Sequence, residues 1–322
     1  MKSINSFHLP KSLQEKLSKA KRLEWITICY LITVVILMYL VMGNSQAMKT
    51  AWLEDALSIL PAISFLIAYR FYNKKPTQNF PYGYHRVFDI AHLTGALALF
   101  LMGSYLLIDS SISLLTIEKP TIGSFTIWGQ QIWLGWLMIA LLIYSSIPAM
   151  FLGHAKLPLS KALHNKILFT DAQAQKADWT TALAAMLGIV GVGLGFWWAD
   201  ATAALFISFS VLKDGYSNLK DAILELMDRH PVTVKKENDT IGQRVVNYLC
   251  DNYSSDIIEV GVRLREHGQT YFGEILIISN APVKCEQIRK DVLELHWKLI
   301  DVSVMPVTSI PPYFLTRTNI TN

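Results

Sequence analysis

Two pairs of acidic residues lie in stretches of the chain that are otherwise apolar enough for a lipid bilayer. Glu54 and Asp55 interrupt the apolar stretch 51–69, and Asp171 and Asp178 flank the start of another. Acids inside membrane-spanning helices usually face the interior of a bundle or a wet cavity, and they mark ion or proton pathways. Because seven residues are close to two helical turns, Asp171 and Asp178 share one helix face. The pattern predicts two helices that meet around a cation.

Neutral oxygen donors accompany two of these acids. Gln175 precedes Asp178 by three residues and Ser58 follows Asp55 by three, so each donor shares a helix face with its acid. Carboxylate and amide oxygens suit manganese, magnesium or ferrous iron, whereas zinc prefers nitrogen and sulfur ligands. The predicted metal ligands are Asp55, Asp178, Glu54, Asp171 and Gln175.

Structural roles remain open for the same acids. Asp55 could be a structural acid paired with Lys49 or Lys176. Glu54 points about 100° away from Asp55 around the helix, so helix packing or an interfacial salt bridge is an equal alternative to a site role. For Asp171, a helix N-cap or a solvated vestibule is an equal alternative.

A third helix carries a further titratable pair. Asp89 and His92 are three residues apart and would lie on one face, which is suitable for a metal or proton relay. The alternative is an acid at the start of a helix beside a polar histidine inside the bundle. Asp89 and His92 are candidates for a proton relay, and the structural alternative stays open.

The composition indicates the kind of protein that must position these residues. The 322-residue chain is 52% hydrophobic and only 17% charged, against roughly 25% charged residues in soluble domains. A net charge of +4 does not indicate nucleic acid as a partner. Three cysteines without motif spacing predict neither a disulfide framework nor a zinc site. A membrane protein with a soluble appendage fits these values.

The hydropathy pattern predicts three parts: a basic N-terminal arm (1–24), a transmembrane domain (25–213) and a cytoplasmic domain (214–322). The lipid bilayer would contain six spans, at about 25–48, 51–69, 88–115, 127–152, 177–196 and 201–212. Lys and Arg number 14 on the side of the termini and two on the other side, which predicts that both termini are cytoplasmic. After residue 238 the periodicity predicts the order α-β-β-α-β, with a turn at 266–269. This order is typical of a ferredoxin-like α+β domain.

The chain resembles the cation diffusion facilitator family of divalent-metal transporters over nearly its whole length. The matching segments are Gly43–Ser58, Phe80–Arg86, Asp171–Asp178, Ala199-Asp200 and Glu225–Arg229. The resemblance implies a transmembrane six-helix bundle followed by a small ferredoxin-like cytoplasmic domain, a homodimer in the cell (inner) membrane, and export of a divalent metal in exchange for protons. Zinc, manganese, cobalt and iron are the candidate ions, and no bound cofactor is expected.

The chain departs from the family pattern at the expected sites. The family usually has two ligands four residues apart on the second helix and two on the fifth. Asp55 and Asp178 match one of each pair, but their partners fall on Ile59 and Ala174, which cannot bind metal. These losses motivate an alternative: a non-transporting membrane metal sensor or assembly protein on the same scaffold. No nucleophile elbow, phosphate loop or HExxH helix is present in the sequence, so an enzyme is not expected.

Overall fold

The computed structural model describes residues 9–72, 74–117, 122–127, 130–254, 257–280 and 282–317. The chain divides into two compact units. The helical unit comprises Glu15–Tyr69 and Ile90–Ile223, and the sheet unit comprises Met1–Gln14, Arg70–Asp89 and Leu224–Asn322.

Helices make up most of the described chain as far as residue 226. They are α1 (Lys11–Val41), α2 (Gln46–Leu57), α3 (Ile59–Tyr72), α4 (Val87–Leu115), α5 (Leu134–Leu163), α6 (Lys166–Gly193) and α7 (Ala199–Leu226). Four segments of the described chain are long and apolar enough to cross a membrane: α1, α2 with α3, α4 and α5. Helices α6 and α7 have 28 residues each, but charged residues shorten their apolar stretches. Two of the six predicted spans therefore remain predictions.

A break separates α2 from α3 at Ser58, three residues before Pro61. Proline lacks an N–H group, and its ring clashes with the carbonyl group four residues earlier, which here belongs to Leu57. The N–H and the hydroxyl of Ser58 both donate to the carbonyl oxygen of Glu54, each at 3.0 Å. Pro61 is thus accompanied by an interruption of the helix a few residues after the acid pair.

The turn between α5 and α6 is much shorter than the polar connection 153–176 that the sequence predicts. His164 adopts a left-handed conformation with φ of 49°, and Asn165 caps α6 by accepting the N–H of Leu168 at 2.8 Å. Ala, Leu, Lys and Gln dominate the segment, and these residues favour helix over loop. The two helices pack closely at Gly153, where an added Cβ would lie 2.7 Å from a backbone carbonyl oxygen of α6.

Two short strands precede α5. Strand β1 (Ser124–Ile127) pairs antiparallel with β2 (Gln130–Trp133), and α5 begins only at Leu134. The predicted start of the fourth span at about residue 127 is therefore wrong. The amide side chains of Gln130 and Gln131, near this predicted start, are poorly suited to lipid. Pairing of the two strands satisfies the backbone N–H and C=O groups there without a helix.

The sheet unit contains a three-stranded sheet with strand order β3-β4-β5 and two helices. Its elements are α8 (Ile241–Asn252), β3 (Ile257–His267), β4 (Thr270–Ser279), α9 (Cys285–Leu295) and β5 (Leu299–Pro306). Strands β3 and β4 are antiparallel and joined by Gly268 and Gln269, with Gly268 at φ of +65°, whereas β4 and β5 are parallel. This confirms the predicted α-β-β-α-β order and the predicted turn. The core includes Val246, Leu249, Val262, Ile275, Ile288 and Val292.

A buried polar group supports the start of α8. Asp239 Oδ2 accepts hydrogen bonds from Lys298 Nζ at 2.9 Å and from the Tyr271 hydroxyl at 2.6 Å, and Asp239 Oδ1 accepts the N–H of Ile241 at 3.1 Å. Burial alone would raise the pKa of Asp239. The hydrogen bond from Tyr271 and the Lys298 charge outweigh burial and lower this pKa to about 2.

Candidate metal site

The acid pair Glu54–Asp55 lies in the last turn of α2, immediately before the break at Ser58. The Asp55 side chain is buried, and Glu54 is half-buried. Helix α2 packs against α6, which places Asp178 within electrostatic range of both acids. Glu54 also lies beside Thr181, about one turn beyond Asp178. Three carboxylates from two helices are therefore gathered in one region of the helical unit.

Helix α5 holds the Asp55 carboxylate. The Ser145 hydroxyl donates to Asp55 Oδ2 at 2.7 Å, and both residues are buried. The Tyr30 hydroxyl of α1 lies 2.7 Å from the carbonyl oxygen of Tyr144 and within hydrogen-bond distance of that of Ser145. Helices α1 and α5 are thereby fastened together at the turn of α5 that faces Asp55.

The alternative reading of Asp55 as one half of a structural ion pair is not supported. Lys49 Nζ lies 2.9 Å from Asp109 Oδ2, and Lys176 is exposed. Within the described ranges, no Lys or Arg forms a salt bridge with Glu54, Asp55 or Asp178. Among the residues that the structure describes, the three acids thus have no compensating cation at contact distance.

A second charged cluster lies on α1, α5 and α6. Lys156 is fully buried, and its Nζ donates to Asp171 Oδ2 at 2.6 Å and to Glu24 Oε2 at 3.0 Å. Gln175 Nε2 donates to Asp171 Oδ1 at 3.1 Å. Two acids and one ammonium group are thus enclosed together. Glu24 Oε1 and Gln175 Oε1 have no hydrogen-bond partner among the described residues.

The five predicted ligands therefore fall into two groups. Glu54, Asp55 and Asp178 lie around the end of α2, whereas Asp171 and Gln175 contact Lys156. Among the side chains that the structure describes, no three of His, Cys, Asp or Glu are arranged closely enough to hold a metal ion. A cation at Asp55 and Asp178 would have to draw these carboxylates together and take further oxygen atoms from neighbouring groups.

The predicted relay residues have different surroundings. Asp89 Oδ1 accepts the backbone N–H of Gly268 at 3.0 Å within the sheet unit. His92 is buried in the helical unit. In the sheet unit, Arg86 Nη2 also lies 3.0 Å from His267 Nε2, and burial, reinforced by the Arg86 charge, lowers the pKa of His267 to about 4. The relay role of Asp89 and His92 remains a prediction.

Asp200, at the start of α7, caps a different helix from its own. Its Oδ1 accepts the Ser45 hydroxyl at 2.7 Å and the N–H of Ala47 at 3.3 Å, and its Oδ2 accepts the N–H of Gln46 at 2.5 Å. The first N–H groups of a helix have no partners within the helix, and a carboxylate both satisfies them and complements the helix dipole. Asp200 is therefore a structural acid that joins the N-termini of α2 and α7.

Three site residues were missed by reasoning from the sequence: Glu24, Ser145 and Lys156. Glu24 is the last residue of the predicted basic arm, and Lys156 lies in the predicted polar loop. Both side chains were therefore expected to face water. Ser145 belongs to a span without charge. Lys156 is the residue that could have indicated this cluster. It precedes Asp171 by 15 residues, so the two side chains can meet only where a tight turn packs two helices against each other.

The part of the chain that contains these residues is similar to known proteins. A family model described as the cation efflux transmembrane domain matches residues 24–227. The chain is 22% identical to the manganese efflux system protein MneS of Bacillus subtilis (strain 168) over 185 residues, which cover 58% of this chain and 60% of MneS. It therefore spans about three fifths of the length of that relative.

Two further relatives align over similar or longer segments. The manganese efflux system protein MneP of the same organism is 23% identical over 235 residues, 70% of this chain and 72% of MneP. The magnetosome protein MamB of Magnetospira sp. (strain QH-2) is 22% identical over 201 residues, 62% of this chain and 63% of MamB. The region that the family model matches, residues 24–227, includes both charged clusters of the helical unit.

Proposed function

Because the chain belongs to the cation diffusion facilitator family, a family of transporters and not of enzymes, we propose that it exports a divalent metal cation from the cytoplasm in exchange for protons. One observation carries the proposal: Glu54, Asp55 and Asp178 gather inside the helical unit without a salt-bridge partner among the described residues. An acid without a compensating charge costs free energy inside a membrane helix, and such acids usually bind an ion or a proton.

Asp55 and Asp178 are the proposed ligands, with Glu54 as a third carboxylate that approaches when the ion binds. Asp171 and Gln175 are assigned to the Lys156 cluster and not to the ion. Manganese is the proposed substrate because the donors are oxygen atoms, which suit harder ions, and because two relatives are named as manganese efflux proteins. Zinc, cobalt and ferrous iron are the ions against which this choice is tested.

Proton exchange follows from the same carboxylates. When the metal leaves, three acids remain close together in a region that water enters poorly, and protons are then the available neutralising charge. Metal and protons would compete for the same oxygen atoms, which couples their opposite movements. Asp89 and His92 are proposed to carry protons toward this region.

The architecture proposed for transport has six spans, with α6 and α7 as the fifth and sixth. The excess of Lys and Arg on one side supports cytoplasmic termini in the cell (inner) membrane. The α-β-β-α-β order supports a ferredoxin-like cytoplasmic domain, and the family supports a homodimer.

The test is metal uptake into proteoliposomes with an acidic lumen, measured for manganese, zinc, cobalt and ferrous iron. Wild type is compared with Asp55→Asn and Asp178→Asn. The matched control is Asp109→Asn, an acid on a spanning helix that pairs with Lys49. We expect manganese flux in wild type and in the control, and no flux in the two site variants.

Two results would contradict separate parts of the proposal. Flux that persists in both site variants would exclude the carboxylate site. Flux that is the same with and without the pH gradient would exclude proton exchange while leaving transport intact.

The alternative function, a membrane metal sensor or assembly protein, is favoured by the apolar residues Ile59 and Ala174 at expected ligand positions. It predicts a folded protein that binds metal without moving it. Absence of flux for all four ions, together with metal binding to the purified protein, would select this alternative.

A further inference from the structure

When each binds through one oxygen atom, Asp55, Asp178 and Glu54 supply only three ligands to a six-coordinate cation. Ions such as magnesium and manganese take six oxygen ligands, so neutral oxygen atoms must complete the shell. Water supplies some of them in any wet site. A protein oxygen atom fixed beside a carboxylate ligand would take one of these positions and influence which ion fits.

The Ser145 hydroxyl occupies such a position. Its Oγ lies 2.7 Å from Asp55 Oδ2, and the residue is buried on α5. The Tyr30 hydroxyl contacts the backbone carbonyl group of Ser145, which fixes the turn that carries the hydroxyl. Neither the family pattern nor the sequence assigns a role to this residue.

The spacing of the two oxygen atoms is that of an ordinary O–H···O hydrogen bond, and it can be compared with two coordination geometries. Two adjacent oxygen ligands of an octahedral ion are about 3.0 Å apart when each lies about 2.1 Å from the metal. In a tetrahedral zinc site with similar bond lengths, the separation is about 3.4 Å. The observed 2.7 Å is closer to the octahedral edge. The hydroxyl would need to move less to join an octahedral shell than a tetrahedral one.

The hydroxyl hydrogen also has another acceptor when the ion arrives. A serine in a helix can donate to a carbonyl group in the preceding turn, as Ser146 does to Ile143 at 3.5 Å. Rotation of the Ser145 side chain would turn a lone pair toward the ion and free Asp55 Oδ2 for coordination.

We propose that Ser145 Oγ is a neutral ligand of the transported cation, and that it favours six-coordinate ions such as manganese over zinc. This inference rests on the proposed function. It adds a donor from α5 to the carboxylates of α2 and α6, so that three helices surround the ion.

The test compares wild type with Ser145→Ala, Ser145→Thr, Ser145→Cys and Ser146→Ala. Ser146 is the matched control because it is the neighbouring buried serine and bonds only within its own helix in the described structure. Manganese, zinc and cadmium uptake by proteoliposomes is measured at limiting metal, and binding to the full-length protein is measured by equilibrium dialysis.

We expect Ser145→Ala to lower manganese affinity and flux at least about tenfold, a loss that even outer-shell partners of metals produce. Ser145→Thr keeps the hydroxyl and should retain the preference for manganese. Ser145→Cys should shift the preference toward cadmium and zinc, because thiolates select softer ions. Ser146→Ala should behave as wild type.

Equal manganese affinities for Ser145→Ala and Ser146→Ala would overturn the inference, as would an unchanged ion preference in Ser145→Cys. A loss of flux in Ser145→Thr equal to that in Ser145→Ala would also overturn it, since packing and not the hydroxyl would then be responsible. Asp55→Asn is run in parallel. If it transports like wild type, the proposed carboxylate site has failed and not the role of Ser145 alone, whereas absence of flux in wild type would mean that the proposed transport function has failed.

Discussion

Replacing Lys156 by methionine removes the ammonium group that contacts both Glu24 and Asp171. Methionine has a similar length and volume, so the change isolates charge from packing. Lys156 is fully buried and its two carboxylate partners are almost fully buried, so the acids cannot turn to bulk water for compensation. Breaking a buried ion pair by removing one partner costs about 3–5 kcal/mol. Since two acids are left, we expect a loss at the upper end of that range.

The measurement is a thermal melt of the full-length protein in detergent. A loss of this size corresponds to a drop in melting temperature on the order of 10 °C. Two further variants separate charge from other causes. Glu24→Gln keeps the shorter pair, Lys156 to Asp171 at 2.6 Å, and leaves it electrically neutral, so it should lose far less stability.

The triple variant Glu24→Gln, Lys156→Met, Asp171→Asn removes all three charges. Neutral replacement of a whole buried ion cluster is often tolerated, so most of the lost stability should return. A melting temperature of Lys156→Met equal to wild type would refute the reasoning. A triple variant as unstable as Lys156→Met would do so as well, because buried unpaired charge would then not be the cause.

The sheet unit should lose stability in acid through Asp239, whose pKa is lowered from 3.8 to about 2. A lowered pKa contributes stability, about 2 kcal/mol here, that is present above about pH 4 and is lost as the pH falls through about 2. Lys298→Met should therefore reduce the difference between full-length melts at about pH 6 and about pH 3. Asp200→Ala should cost about 1–3 kcal/mol in thermal melts because three donors, two of them buried, lose their acceptor. Gly153→Ala should destabilise the helical unit by about 1–3 kcal/mol through overpacking, whereas Gly95→Ala, at an open helical position, should stabilise it by about 0.5–1 kcal/mol; equal melting temperatures of these two variants would contradict the packing argument.

Elements with a strong period were predictable from the sequence. Alternation along β3 and the Gly268 turn led to the right hairpin, because each depends on local chemistry alone. The apolar spans within α1 to α5 were predicted for the same reason, whereas the start of α1 at Lys11 and both ends of α5 were not. The strand pair β1–β2 was missed because four-residue strands carry too little pattern.

The site was only partly predictable, because its contacts join residues distant along the chain. Helix periodicity predicted one face for Asp171 and Asp178 and one for Gln175 and Asp178. It could not reveal that Lys156, which is paired with Glu24, contacts Asp171. In the same way, nothing local distinguishes Ser145 from Ser146. The partner of each is decided by how α5 is rotated against α2, which is a property of the packed helices.

The bonds from Asp200 to the first turn of α2 have a mechanical consequence. If α2 and α7 separated at this end, a buried carboxylate and three donors would lose their partners at once. These two helices are therefore expected to travel together when the protein changes shape. Asp55 belongs to α2, whereas Asp178 belongs to α6. Among the described residues, α6 forms no such hydrogen bond with Asp200. If α6 slid past the joined helices α2 and α7, the distance between the two carboxylates would change. The affinity of the site for an ion would change with that distance.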